Sequence, residues 1–119
     1  DRLANAVAKV RSSRARLEYM MAECTKIVER RELVPTKDRV AYMLDSARVG
    51  RECEEAVLLL FKAFSARGIF LSNPIQRVVR DTLAAANHIT QDADNNAGFL
   101  GGMLLGQGAP QFLYGPPAG

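Results

Sequence analysis

One histidine and two cysteines are all that this 119-residue chain offers in those types, and the shortage excludes much. A di-iron bundle needs paired Glu-x-x-His units on opposing helices; with His88 alone that site cannot be built, and no metal site is expected. Cys24 and Cys53 make no disulfide framework, so free, mostly buried thiols in a reducing, cytoplasmic setting are expected. No apolar run approaches the roughly 18 residues of a membrane span, and no basic-then-apolar leader is visible. Walker, Rossmann, HExxH and CxxC patterns are absent. Gly98-x-x-Gly101-Gly102 follows no strand, so it reads as a close-approach face of a helix rather than a nucleotide cradle. No stretch alternates as a half-buried strand would.

What is present suffices for one folded domain. The chain has a mass of 13.0 kDa, with 48% apolar and 24% charged residues, enough for a core without staples. The net charge is +3 and unevenly spread: ten of 16 Lys and Arg lie in Asp1–Arg39, six in Val40–Arg80, and none beyond. These cations alternate with Glu along helices and form no stripe interleaved with aromatics, which argues against nucleic acid as a partner.

The apolar spacing predicts four helices. The first runs from about Arg2 to Arg31 with a stripe of Leu3, Val7, Val10, Leu17, Met21, Cys24 and Val28, interrupted by Arg14. Its length suggests a long bundle or an intersubunit contact. Pro35 breaks the pattern. Thr36 is the expected N-cap of a second helix reaching about Ala66, in which Leu58-Leu59-Leu60-Phe61 should be buried on both sides. Gly50 in mid-helix implies close helix approach. Arg67-Gly68 reads as a helix end with Gly68 left-handed, and Ile69-Phe70-Leu71 as a packed connector. Asn73-Pro74 pairs an N-cap with Pro at the first helical position, opening a third helix to about Asn87. Asp92 or Asp94 caps a fourth, ending near Leu105. The expectation is an all-α, up-down four-helix bundle over residues 1–106, followed by a Gly/Pro-rich tail, 107–119, with the aromatic cluster Phe112-Leu113-Tyr114.

The residues with chemical potential are few. His88 closes the third helix, where it could serve the free carbonyls and the dipole or carry a proton near neutral pH; spacing leaves both roles open. Arg80-Asp81 within an apolar helix reads as a structural ion pair across the bundle. Glu52, Glu54 and Glu55 read as a solvated acidic face.

Arg67-Gly68, Asn73-Pro74-Ile75-Gln76-Arg77-Val78-Val79-Arg80-Asp81, Ala84-Ala85-Ala86-Asn87-His88-Ile89 and Asp94 together resemble the C-terminal helical domain of the acyl-CoA dehydrogenase superfamily. The likeness covers roughly Thr36 to Gly106 and is strongest to the two-component flavin-dependent monooxygenases, which place a His eight residues after the Arg; here these are Arg80 and His88. Dehydrogenases of this type often carry their catalytic Glu nine residues after the Arg, where this chain has Ile89.

The resemblance implies an oxygenase component that receives reduced FMN or FAD from a separate reductase. It also implies that the oxygenase reacts the flavin with O2, protects a flavin C4a-(hydro)peroxide and oxidises a small organic substrate. It places His88 catalytically at the flavin edge. It assigns Ser65, Arg67 and Gly68, with His88, to cofactor binding, and the domain to a homotetramer. Members are roughly three times as long, so the chain reads as the C-terminal piece of such an enzyme, inactive alone. The other readings are a non-catalytic helical oligomerisation module and an acyl-CoA dehydrogenase-like oxidoreductase.

Overall fold

The computed structural model describes residues 1–108. Most of the expected tail, including Phe112-Leu113-Tyr114, lies outside the described residues. Within them the chain is all-α: α1 (Arg2–Glu29), α2 (Thr36–Ala63), α3 (Pro74–Ala86) and α4 (Ala93–Leu104), with 3-10 turns at Ser65–Ile69 and Ile89–Gln91.

The helix starts follow local chemistry. Asp1 Oδ1 accepts from the backbone N–H of Leu3 at 2.7 Å and opens α1. Asn73 Oδ1 accepts from Ile75 N–H at 3.1 Å ahead of Pro74. Asp92 Oδ1 accepts from Asp94 and Asn95 N–H and opens α4. Thr36 departs from expectation: Pro35 holds the cap position without a side-chain bond. Thr36 is the first helical residue, and its hydroxyl accepts from Arg39 instead.

α2 is the hub. It packs against α1, α3 and α4, whereas α1 makes no substantial contact with α3 or α4. α1 turns small side chains to its seam with α2. Ala6 and Ser13 are its buried residues, and small residues let two backbones approach closely. On α2, Ala56 is buried on the side that carries Glu52 and Glu55, whereas Val40 and Ala47 are buried on the opposite side. Met20 and Ile27, half-buried, continue the seven-residue spacing of Ala6 and Ser13.

Polar ties cross the same seam. Lys9 pairs with Glu55, Ser13 Oγ donates to Glu52 at 2.7 Å, and Arg16 lies 3.7 Å from Glu52. The Glu52/Glu55 face is therefore engaged with α1 rather than simply solvated. The hydrogen bond to Glu55 holds the Lys9 ammonium above its ordinary value of 10.5, against a smaller opposing desolvation. Its contribution to stability is complete below that value and is lost as the pH rises through the raised folded one.

This seam leaves the large apolar side chains outside. The expected α1 stripe lies on average about 60° around the helix from Ala6 and Ser13, and Leu3, Val7, Val10, Leu17, Met21 and Val28 are all exposed. Arg14, which interrupts it, pairs with Glu18 one turn on. The largest fully buried side chain is Val40. Leu58-Leu59-Leu60-Phe61 is half-buried rather than enclosed. Ile69, Phe70 and Leu71 are exposed, so that connector is not packed.

Gly50 meets its expectation: a Cβ there would sit 3.0 Å from Gln91 Oε1 and 3.7 Å from Ala86 Cα. Gly98 and Gly101 do not, since nothing lies within 4 Å of a Cβ at either.

Overpacking the seam should cost more than loading the surface. Ala6→Leu should lower stability by about 1–3 kcal/mol, whereas Ala8→Leu, on the exposed side of the same helix, should stay within about 0.5 kcal/mol. Urea unfolding of the two variants distinguishes them.

Candidate functional site

His88 lies in a linker between α3 and α4, and it does not perform the helix-end role. α3 stops at Ala86, and Asn87 caps it: the Asn87 amide Nδ2 donates to the Leu83 carbonyl at 2.7 Å. His88 is already extended, with φ −63° and ψ 144°, and caps the next turn. Its Nδ1 accepts from Thr90 N–H at 3.3 Å and lies 2.8 Å from Thr90 Oγ1. The His88 carbonyl accepts from Gln91 N–H at 2.7 Å.

That turn is braced from two sides. Gln91 Nε2 donates to Ser46 Oγ of α2 at 3.1 Å. Asn96 of α4, 3% exposed, donates from Nδ2 to the Thr90 carbonyl at 3.0 Å. The absence of a side chain at Gly50 leaves room for Gln91 against α2.

The result is a polar cleft of about 290 Å³ lined by Arg51, Glu54, Asn87, His88, Gln91 and Asp92, with Ala86 and Ala93. His88 lines it yet is exposed, so the ring is presented at the mouth of the cleft and is not enclosed. Glu54, the third member of the acidic cluster, faces this cleft. Arg51 pairs with Asp94 at 3.3 Å beside it. Thr90, Gln91, Asn96, Arg51 and Glu54 are the residues that sequence reasoning missed here. Only the His-x-Thr spacing, which matches a side-chain cap on a short turn, carried a signal.

The Ser65–Gly68 turn departs from its expected geometry. Ser65, with φ 52°, is the left-handed residue that follows α2. Gly68 is buried, and a Cβ there would lie 3.0 Å from the Phe61 ring and 3.3 Å from Phe64 Cβ. Gly68 therefore serves packing against Phe61. Arg67 is exposed and faces an open hollow with Phe64, Phe70, Ser72, Asn73 and Pro74. Asn73 Nδ2 donates to the Arg67 carbonyl at 3.3 Å and steadies the turn.

The structure does not bring the two expected cofactor contacts together. Ser65, Arg67 and Gly68 precede α3 and His88 follows it. The 13 residues of α3 separate them by about 20 Å.

The expected Arg80–Asp81 pair across the bundle is not formed. Both side chains are exposed, and Asp81 lies 3.6 Å from Arg77, one turn back on its own helix. Among the described residues α3 packs mainly on α2, and Asp81 finds its ion-pair partner on its own helix.

The fold and the braced His88 turn define a helical domain class, and sequence comparison names the family. Residues 1–93 match the acyl-CoA dehydrogenase C-terminal domain, and the chain belongs to that family. Among solved structures it is similar to 3-HSA hydroxylase from Rhodococcus sp. RHA1, with a TM-score of 0.82 at 22% identity. That likeness covers 92% of this chain and 29% of the hydroxylase chain. Among curated protein sequences none matches significantly.

Two substitutions test the Ser65–Gly68 turn. Ser65→Gly should stabilise by about 1 kcal/mol, because glycine takes the left-handed conformation without the Cβ penalty. Gly68→Ala should destabilise by about 1–3 kcal/mol through overpacking against Phe61. Both are read by urea unfolding.

Proposed function

We propose that this chain is the C-terminal domain of a flavin-dependent monooxygenase. The enzyme would use reduced FMN or FAD, supplied by a separate reductase, and O2 to hydroxylate or otherwise oxidise a small organic substrate. The observation that carries the reading is His88, held by its Nδ1 side at the mouth of a polar cleft. Membership of the acyl-CoA dehydrogenase C-terminal domain family and the likeness to a hydroxylase support it. The lack of any carboxylate between Asp81 and Asp92 leaves that segment without a base for α-proton abstraction, which favours oxygenation over dehydrogenation.

The residues fit one wall of a flavin site. His88 is exposed at the mouth of the cleft, and a ligand site buries most of a flavin-sized molecule, so the remaining walls would come from other segments or chains. Bound reduced flavin would supply the electrons that activate O2. His88 would stand at the reactive edge as a hydrogen-bond or proton donor, where a placed polar group stabilises developing charge.

Ser65 and Arg67 would hold the phosphate end, with the guanidinium as its partner. Gly68 would contribute by keeping that turn packed. Because α3 separates this turn from His88, we read Ser65 and Arg67 as serving the flavin of a neighbouring chain.

Self-association belongs to the same reading. A folded 13.0 kDa monomer exposes about 6,300 Å² by surface–mass scaling, whereas this chain exposes 8330 Å². The excess of about 2,000 Å² is enough for more than one standard interface of roughly 800 Å² per partner. Part of the exposed surface is the uncovered α1 stripe, Leu3, Val7, Val10, Leu17, Met21 and Val28, whose steps of three, four and seven suit a second helix. A homotetramer meets both observations. A cytoplasmic setting fits the free thiols of Cys24 and Cys53.

The test uses the intact oxygenase with a reductase. His88→Ala should lower product formed per O2 consumed by about 100-fold, with the missing oxygen recovered as hydrogen peroxide. Unchanged product yield would overturn the assignment.

A further inference from the structure

We propose that Thr90 is a positioning residue that fixes the His88 tautomer, leaving a proton on Nε2 for a hydrogen-bond acceptor in the cleft. The inference rests on the oxygenase reading only for what that acceptor is; the positioning itself stands on the geometry of this chain.

A backbone N–H can only donate. Thr90 N–H lies 3.3 Å from His88 Nδ1, so Nδ1 must carry the lone pair there. The Thr90 hydroxyl, 2.8 Å from the same nitrogen, then shares that one lone pair as the second and shorter donor. With Nδ1 unprotonated, the proton of the neutral ring sits on Nε2. Among the described residues Nε2 has no partner, and the side chain lines the cleft beside Arg51, Glu54 and Asp92.

Thr90 is itself held. Its carbonyl accepts from buried Asn96, and the next residue, Gln91, is tied to Ser46 of α2. The donor pair on Nδ1 is thus anchored to both α2 and α4. A ring held this way presents a donor without needing to be positively charged, and it presents it in one orientation.

The chain's single histidine makes the test direct. In the 15N-labelled 119-residue chain both imidazole nitrogen signals belong to His88. In the neutral ring the wild-type spectrum should show Nδ1 unprotonated and Nε2 bearing the proton. Thr90→Val keeps the N–H and removes the hydroxyl, and should raise the Nδ1–H population about fivefold, the factor one net hydrogen bond supplies. Thr90→Ser should restore the wild-type spectrum. A wild-type ring protonated on Nδ1, or a Thr90→Val spectrum equal to wild type, would overturn the proposal. The wild-type measurement decides even if Thr90→Val fails to fold. A tautomer shift in Thr90→Val together with undiminished product yield in His88→Ala of the intact oxygenase would uphold the positioning role and refute the oxygenase reading.

Discussion

The packing of α1 on α2 governs the rest of the structure. Two 28-residue helices meet where Ala6 and Ser13 of α1 and Ala56 of α2 are buried, and small residues at that seam fix how much apolar surface is left over. Lys9–Glu55 and Ser13–Glu52 tie the helices in register along it. Removing Ser13's hydroxyl would leave Glu52 half-buried with Arg16 as its remaining polar contact, a cost of about 1 kcal/mol. The consequence is a chain elongated to 56 Å whose larger aliphatic side chains face outward.

The same hub sets out the site. α2 carries Ser46, Gly50, Arg51 and Glu54 on successive turns, and α3 and α4 each dock on it. The linker between them crosses α2 at Gly50, where a Cβ would press on Gln91 Oε1 at 3.0 Å. This close crossing holds the His88–Gln91 turn, and the polar cleft follows from it. Fold and chemistry are therefore joined at one point: the backbone that connects α3 to α4 is braced by the helix that everything else packs on.

The helices were legible because their signals are local. Asn73-Pro74 and Asp92 announce their own caps, and the three-and-four spacing of α1 marks its length. What faced what was not legible. The α1 stripe names an apolar face without saying who covers it, and the packing seam runs through Ala6 and Ser13, residues whose small size carries no hydropathy signal. Gly68 was misread for a related reason: a glycine at a helix end signals left-handed backbone, but Ser65 takes that conformation and Phe61 fills the space over Gly68. His88 was found, while its brace from Thr90 and Asn96 depends on a tertiary crossing that no short motif encodes. Arg80-Asp81 misled because helical periodicity places Asp81 beside Arg77, one turn back, as readily as across a bundle.

The most direct test of the outward-facing apolar stripe is the mass of the 119-residue chain in solution, measured by sedimentation across a range of concentrations. Self-association is expected, with Leu17→Lys and Met21→Lys together returning the chain to its monomer mass without loss of helix. A wild-type chain that stays a folded 13.0 kDa monomer at its highest soluble concentration would contradict the reading of α1 as an interface.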